Sequence, residues 1–283
     1  MRAMQIGVKL GPATDTGIRD VAQRAEELGL HSVWLSERVV IPLDKPHPYQ
    51  PMGDPWIGLA FVAAATERVL LGTSVSQIAV RPPVLMAREL ATLDHLSRGR
   101  VIVGAGAGWV EEEFTSTGVP FETRGGRLNE FVRVLRHLWT TPERPWQGKH
   151  FQIPAVGIVK PLTPGGPPIY IGAGSPAGLR RAARYGDGFI ATPLPPDAIA
   201  GIRARLLAMR EEFGKSGPFP VLTQVAPPDS MEAAESLVRD YAAAGVDGLI
   251  LAGGFDQAHA LPADEIARAL VRAAEAVSEA GGR

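Results

Sequence analysis

A short apolar run, a polar or glycine-rich turn and an amphipathic helix follow one another eight times along this chain, and that repetition leaves few folds open. The runs are Ile6–Leu10, Ser32–Ser36, Val69–Val75, Val101–Ala105, Ile169–Gly172, Gly188–Ala191, Val221–Val225 and Gly248–Ala252. The helices expected after them cover Thr16–Leu28, Trp56–Thr66, Val84–Leu96, Glu111–Thr117 with Arg127–Trp139, Pro176–Tyr185, Pro196–Phe213, Met231–Ala244 and Pro262–Ala280. In the first helix Ile18, Val21, Ala22, Ala25 and Leu28 keep the spacing of one helical face. Strands apolar along their whole length are buried on both faces, and their alternation with helices implies a parallel sheet. Glycine recurs where a helix must stop before a strand, at Gly29, Gly186 and Gly245. A doubly wound open sheet would need fewer units and a phosphate fingerprint after its first strand, and Gly11-Pro12-Ala13 has none. The expected fold is therefore an α/β (β/α)₈ TIM barrel, with residues 1–283 as one domain. Residues 140–168, rich in proline and glycine, interrupt the rhythm and read as an insertion between the fourth helix and the fifth strand.

Composition narrows the function by exclusion. With 29 basic and 30 acidic residues the net charge is −1, which gives no long-range attraction for nucleic acid or anionic lipid. The apolar runs are far shorter than the roughly 20 residues of a membrane span, and Met1–Gln5 lead directly into a strand. A cytoplasmic protein with no nucleic-acid or membrane partner is expected. The absence of cysteine removes disulfides and thiolate chemistry. The six histidines (His31, His47, His95, His137, His150, His259) show no ligand spacing, so no metal is expected. Lys9, the one strand lysine, reads as a core or rim residue rather than a Schiff-base nucleophile.

In such barrels chemistry collects at the C-terminal ends of the strands. The second strand ends in Ser36-Glu37-Arg38 and the third in Thr73-Ser74-Val75-Ser76-Gln77. Glu37 can move a proton; Arg38 can only stabilise negative charge, because guanidinium stays protonated. A rim salt bridge is the alternative reading of the pair. The fourth strand runs into Gly104–Trp109, with glycine at every second position, which reads as backbone lying flat against a planar ligand or as a flexible loop after the strand. Trp109 reads as a packing residue, and Glu111-Glu112-Glu113 suit the first turn of a helix. Gly172-Ala173-Gly174-Ser175 precedes a helix at Pro176. It offers either an anion site of amides and hydroxyl or a tight turn with Ser175 as N-cap. Gly253-Gly254 is a second, weaker phosphate loop.

Taken in order, several stretches resemble the luciferase-like monooxygenase superfamily, especially its coenzyme F-420-dependent branch. They are Gly29–Glu37, Ala63–Thr73, Ala91–Arg100, Gly104–Phe114, Pro167–Gly172 and Gly186-Asp187-Gly188. The resemblance implies a barrel with an insertion and a flavin-type ring lying across the strand ends. It also implies a non-proline cis peptide at Ser74–Val75 beneath that ring. By the same carry-over, Ser36, Thr73, Ser74, Val75 and Gln77 border the cofactor, with Gly106-Ala107-Gly108 and Glu112 alongside. Gly172, Ala173, Gly174 and Ser175 would hold its phosphate. Glu37, Arg38 and Glu112 are the expected catalytic residues, although many relatives carry histidine where this chain has Arg38. The implied activity is hydride transfer between the deazaflavin and a small organic substrate. The alternatives are an FMN-dependent monooxygenase using dioxygen and a partner reductase, and a barrel that binds a cofactor or metabolite without turnover. Family analogy also implies a homodimer.

Overall fold

The computed structural model describes residues 4–44, 46, 48, 50–252 and 261–280. Gly253-Gly254, His47 and His259 lie outside the described residues. Among the described residues, eight parallel strands close into a barrel in the order β1 (Gln5–Lys9), β2 (Ser32–Leu35), β3 (Leu70–Thr73), β4 (Val101–Gly106), β7 (Ile169–Gly172), β8 (Gly188–Ala191), β9 (Val221–Val225) and β10 (Gly248–Leu251), which pairs back with β1. The helices are α1 (Ile18–Glu27), α2 (Pro55–Ala63), α3 (Pro83–Leu96), α4 (Glu111–Ser116), α5 (Arg124–Thr140), α6 (Pro176–Tyr185), α7 (Pro196–Glu212), α8 (Met231–Ala243) and α9 (Asp264–Ala280). Every joint between a helix and the next strand falls within a few residues of where apolar periodicity puts it. Among the described residues no helix is long and apolar enough to cross a membrane.

Two apolar layers follow from the alternation of side chains along each strand. One lies between strands and helices and forms the larger core. The other fills the barrel itself, with Trp34, Ile102, Tyr170, Ile190, Leu222 and Ile250 in contact. Trp34 donates from its indole to the Ser32 hydroxyl at 2.8 Å. Its ring crosses the barrel so closely that a Cβ on Gly72 would stand 2.3 Å from it.

Residues 141–168 carry a two-stranded antiparallel sheet, β5 (Trp146–Gln147) and β6 (Gln152–Ile153). Glu130 of α5 holds this hairpin by accepting from Trp146 Nε1, His150 N and Phe151 N at 2.9–3.1 Å. Asp94 at the end of α3 accepts from the amide and hydroxyl of Thr163. The segment is thus fastened to the outside of the barrel.

Candidate functional site

Two residues beyond Trp34, Ile102, Tyr170, Ile190 and Leu222, each strand again points a side chain inward. These positions hold Ser36, Gly104 and Gly106, Gly172, Thr192 and Gln224, almost all of them small. The filled barrel therefore ends in an open cavity of about 650 Å³ at the C-terminal ends of the strands. Ser36, Glu37, Arg38, Ser74, Val75, Gln77, Gly106, Ala107, Gly108, Gly172, Ala173, Gly174 and Ser175 all line it. Two of the expected residues do not. Thr73 is fully buried in β3, where its hydroxyl donates to Gly104 O and accepts from Gly104 N, locking β3 to β4. Glu112 sits half-exposed on α4, while the next residue, Glu113, is turned fully inward.

The end of β3 shapes the cavity floor. The Ser74–Val75 peptide is cis, and the chain returns to register only at Ser76, which bridges to Ala105. Val75 thereby lies between two glycines. A Cβ at Gly106 or at Gly172 would stand 2.7 Å from one of its methyl groups. The alternating glycines of β4 are thus required by the protein's own bulge: Gly104 passes against Thr73 O, and Gly108, at φ 76°, passes against Gln77 and Phe114. Gly174 differs, since a Cβ there would meet nothing within 4 Å.

Glu37 secures the bulge. Its carboxylate accepts from the Ser76 hydroxyl at 2.7 Å and from Gln77 N at 2.6 Å, and it pairs with Arg81. Arg81 also bonds Asp54 at 2.7 Å, and Asp54 caps α2 by accepting from Trp56 N and Ile57 N. The two carboxylates raise the basicity of Arg81 despite its burial. Trp56 Nε1 completes the circuit on the Ser76 hydroxyl at 3.3 Å. The alternative of a rim bridge between Glu37 and Arg38 is not what forms: Glu37 turns to Arg81, 44 residues along the chain.

Arg38 faces Glu113, 3.5 Å away and wholly buried, with its guanidinium 5.0 Å from the Trp109 ring centre. Burial pushes the Glu113 carboxyl up, against the pull of Arg38. Trp109 lines the cavity mouth and is 55% exposed, contrary to its reading as a packing residue. Opposite, Ser175 is the N-cap of α6 and accepts from Gly178 N at 3.2 Å, which leaves its hydroxyl hydrogen for a ligand. Both readings of this turn are therefore compatible. Arg124 and Arg181 join it at the cavity wall, Arg181 held to Asn129 Oδ1 and Gly125 O.

Sequence reasoning missed Met52, Glu122, Arg124 and Arg181, which also line the cavity, and gave no site role to Lys9, Thr192 and Gln224, three strand-end residues that line it too. Inward alternation from Gly7, Ile190 and Leu222 was the available signal for Lys9, Thr192 and Gln224. The others come from a loop, from the turn Phe121–Thr123, from the start of α5 and from the second turn of α6, where no periodicity marks them. None of residues 141–168 reaches the cavity. Among the described residues no group of three or more His, Asp or Glu could hold a metal ion.

The comparisons agree with this architecture. The family model described as luciferase-like monooxygenase matches residues 5–281. An uncharacterized protein of Mycobacterium tuberculosis is 34% identical over 200 residues, 65% of this chain and 71% of that one. An F-420-dependent glucose-6-phosphate dehydrogenase of Amycolatopsis mediterranei is 36% identical over 197 residues, 67% of this chain and 57% of the relative. Among solved structures, an F-420-dependent secondary alcohol dehydrogenase in complex with an F-420-acetone adduct superposes with a TM-score of 0.79 at 19% identity, covering 96% of this chain and 98% of that one. A match over nearly every residue, on a barrel with its cavity at the strand ends, makes this chain a member of the luciferase-like monooxygenase family.

Proposed function

We propose that this protein is an oxidoreductase that uses the deazaflavin coenzyme F-420 to move a hydride to or from a small organic substrate. The observation that carries the reading is the cavity floor. Val75 stands clasped between Gly106 and Gly172, and around it the Ser74 hydroxyl and the Gln77 amide oxygen are buried without hydrogen-bond partners. Such groups cost free energy unless a ligand completes them. A flat ring edged with carbonyl and amide groups would rest on Val75 and meet those atoms. The phosphate of its tail would lie at the α6 N-terminus, near Ser175, Arg124 and Arg181. The 36% identical relative named as F-420-dependent supports the choice of deazaflavin.

Bound there, the coenzyme would supply the carbon that gives or takes the hydride. The chain's own groups orient and polarise. Glu37 has its oxygens committed to Ser76, Gln77 and Arg81 and holds the bulge rather than moving protons. Arg38, backed by Glu113, keeps a fixed positive charge at the cavity for negative charge on ring or substrate. The reading includes a homodimer. Helix α2, Pro-Trp-Ile-Gly-Leu-Ala-Phe-Val-Ala, carries no charge, yet Ile57 and Phe61 face outward. A helix apolar on all sides is normally covered, and an uncharged face has nothing to select a charged foreign partner. A second copy of the chain suits it.

Titrating the purified protein with F-420 and with FMN, followed by fluorescence, tests the reading. Saturable F-420 binding in preference to FMN is expected. Tight FMN with no deazaflavin binding overturns the cofactor, and no turnover across an alcohol and carbonyl panel overturns the enzyme.

A further inference from the structure

Lys9 is the one charged side chain that β1 sends into the cavity, and it lies apart from the bulge and from the α6 terminus. It follows Gly7 at inward register, is 7% exposed and lines the cavity, as Ser36 and Gln224 do. No hydrogen bond or ion pair joins it to any described residue. The charged groups around it are turned elsewhere. From the end of β2, Glu37 is committed to Arg81 while Arg38 repels the ammonium; behind Arg38, Glu113 balances that guanidinium. On the β10 side the inward position is Ala252. Across the ring of strands β1 stands opposite β7, so Lys9 faces the α6 terminus, with Arg124 and Arg181, from the far wall. A mostly buried ammonium that faces a cavity with no described carboxylate paired to it favours a ligand that brings negative charge.

We propose that Lys9 is the anchor for a single negative charge on the substrate, so that the enzyme's substrates are small carboxylates. The proposal rests on the oxidoreductase reading and names its substrate class. Its geometry is one ammonium on a wall of the cavity that the Gln224 amide also lines, across the barrel from the phosphate end. A carboxylate accepts from an ammonium and from an amide N–H and brings one negative charge. Burial, and then repulsion from Arg38, lower the Lys9 pKa to about 8. The ammonium is therefore present below that pH and lost above it. Carboxylate binding, which needs the charged form, must weaken as pH rises past about 8.

Binding of pyruvate against methyl pyruvate, and of benzoate against methyl benzoate, isolates the charge. Quenching of tryptophan fluorescence, to which Trp109 at the mouth contributes, reports it with and without cofactor. The carboxylates are expected to bind about tenfold or more tighter than their esters at pH 6.5. That preference should shrink above pH 8, vanish in Lys9→Met, and persist to higher pH in Lys9→Arg. Equal binding of acid and ester by the wild-type protein overturns the proposal. So does a Lys9→Met variant, folded by circular dichroism, that keeps the preference or that loses only cofactor affinity. Because the ester comparison needs no cofactor, it succeeds or fails independently of F-420 binding.

Discussion

Gly106 and Gly174 both border the cavity, yet they are glycine for opposite reasons. A methyl on Gly106 would press on Val75, whose branched side chain is stiff at χ1, whereas a methyl on Gly174 would stand in open cavity. Gly106→Ala is therefore expected to cost about 1–3 kcal/mol in urea unfolding and to weaken F-420 binding, since the ring's support is displaced. Gly174→Val should leave stability within about 0.5 kcal/mol and still impair binding. If Gly174→Val bound F-420 as the wild type does, the placement of the tail at α6 would be wrong. The alternation of glycine at 104, 106 and 108 was visible in the sequence. Its cause was not, because Val75, Thr73 and Gln77 press on those positions from a neighbouring strand. Glu37 was legible in the same partial way, as a carboxylate at a strand end whose partners, Ser76, Gln77 and Arg81, are distant in sequence. Removing its charge in Glu37→Gln leaves Arg81 and the Gln77 amide facing a weaker acceptor, and a loss of about 3 kcal/mol in urea unfolding is expected.

Elements were the most legible scale, because periodicity is a local property and most strands and helices here obey it. Departures occur where tertiary contacts override it. β3 stops at Thr73 although the apolar run continues to Val75, since the cis bulge breaks the ladder. α5 starts at Arg124 rather than Arg127, its two glycines tolerated because the turn at Phe121–Thr123 leads into it and Arg181 packs on Gly125. On α4, register alone selects Glu113 over Glu112 for burial, a difference that three consecutive glutamates cannot announce. The hairpin of residues 146–153 depends on Glu130. Burial alone would raise that carboxyl, but hydrogen bonds from His150 N, Trp146 Nε1 and Phe151 N outweigh it and hold its pKa low. A depressed carboxylate stabilises above its unfolded pKa and loses that contribution as pH falls through the folded value. Glu130→Gln should therefore speed amide exchange at His150 and Phe151 at pH 7. The difference from wild type should close under acid conditions, and a gap that persisted there would show that packing, not charge, holds the hairpin.

Across the whole molecule the barrel is solid at one level and empty at the next, and both follow from the size of inward residues. Trp34, Ile102, Tyr170, Ile190, Leu222 and Ile250 close the interior; Ser36, Ser74, Gly106, Gly172 and Thr192 leave room above them. This large-then-small sequence along β2, β4, β7 and β8 could be read before the fold was seen; which loops complete the mouth could not. The outside of the barrel carries its own exception. Ile57 is 74% exposed on uncharged α2, Phe61 is 43% exposed one turn on, and Leu96 at the end of α3 is 69% exposed. Leaving such a surface in water forgoes roughly 25 cal/mol for each Å² that a partner could cover. A homodimer built on α2 and α3 should therefore sediment as two chains and melt at a temperature that rises with protein concentration. Ile57→Glu places a charge in the middle of that contact without touching the core or the cavity. It is expected to give a folded monomer that still binds F-420. A wild-type protein that sediments as one chain at all concentrations, or an Ile57→Glu variant that remains dimeric, would remove α2 as the interface.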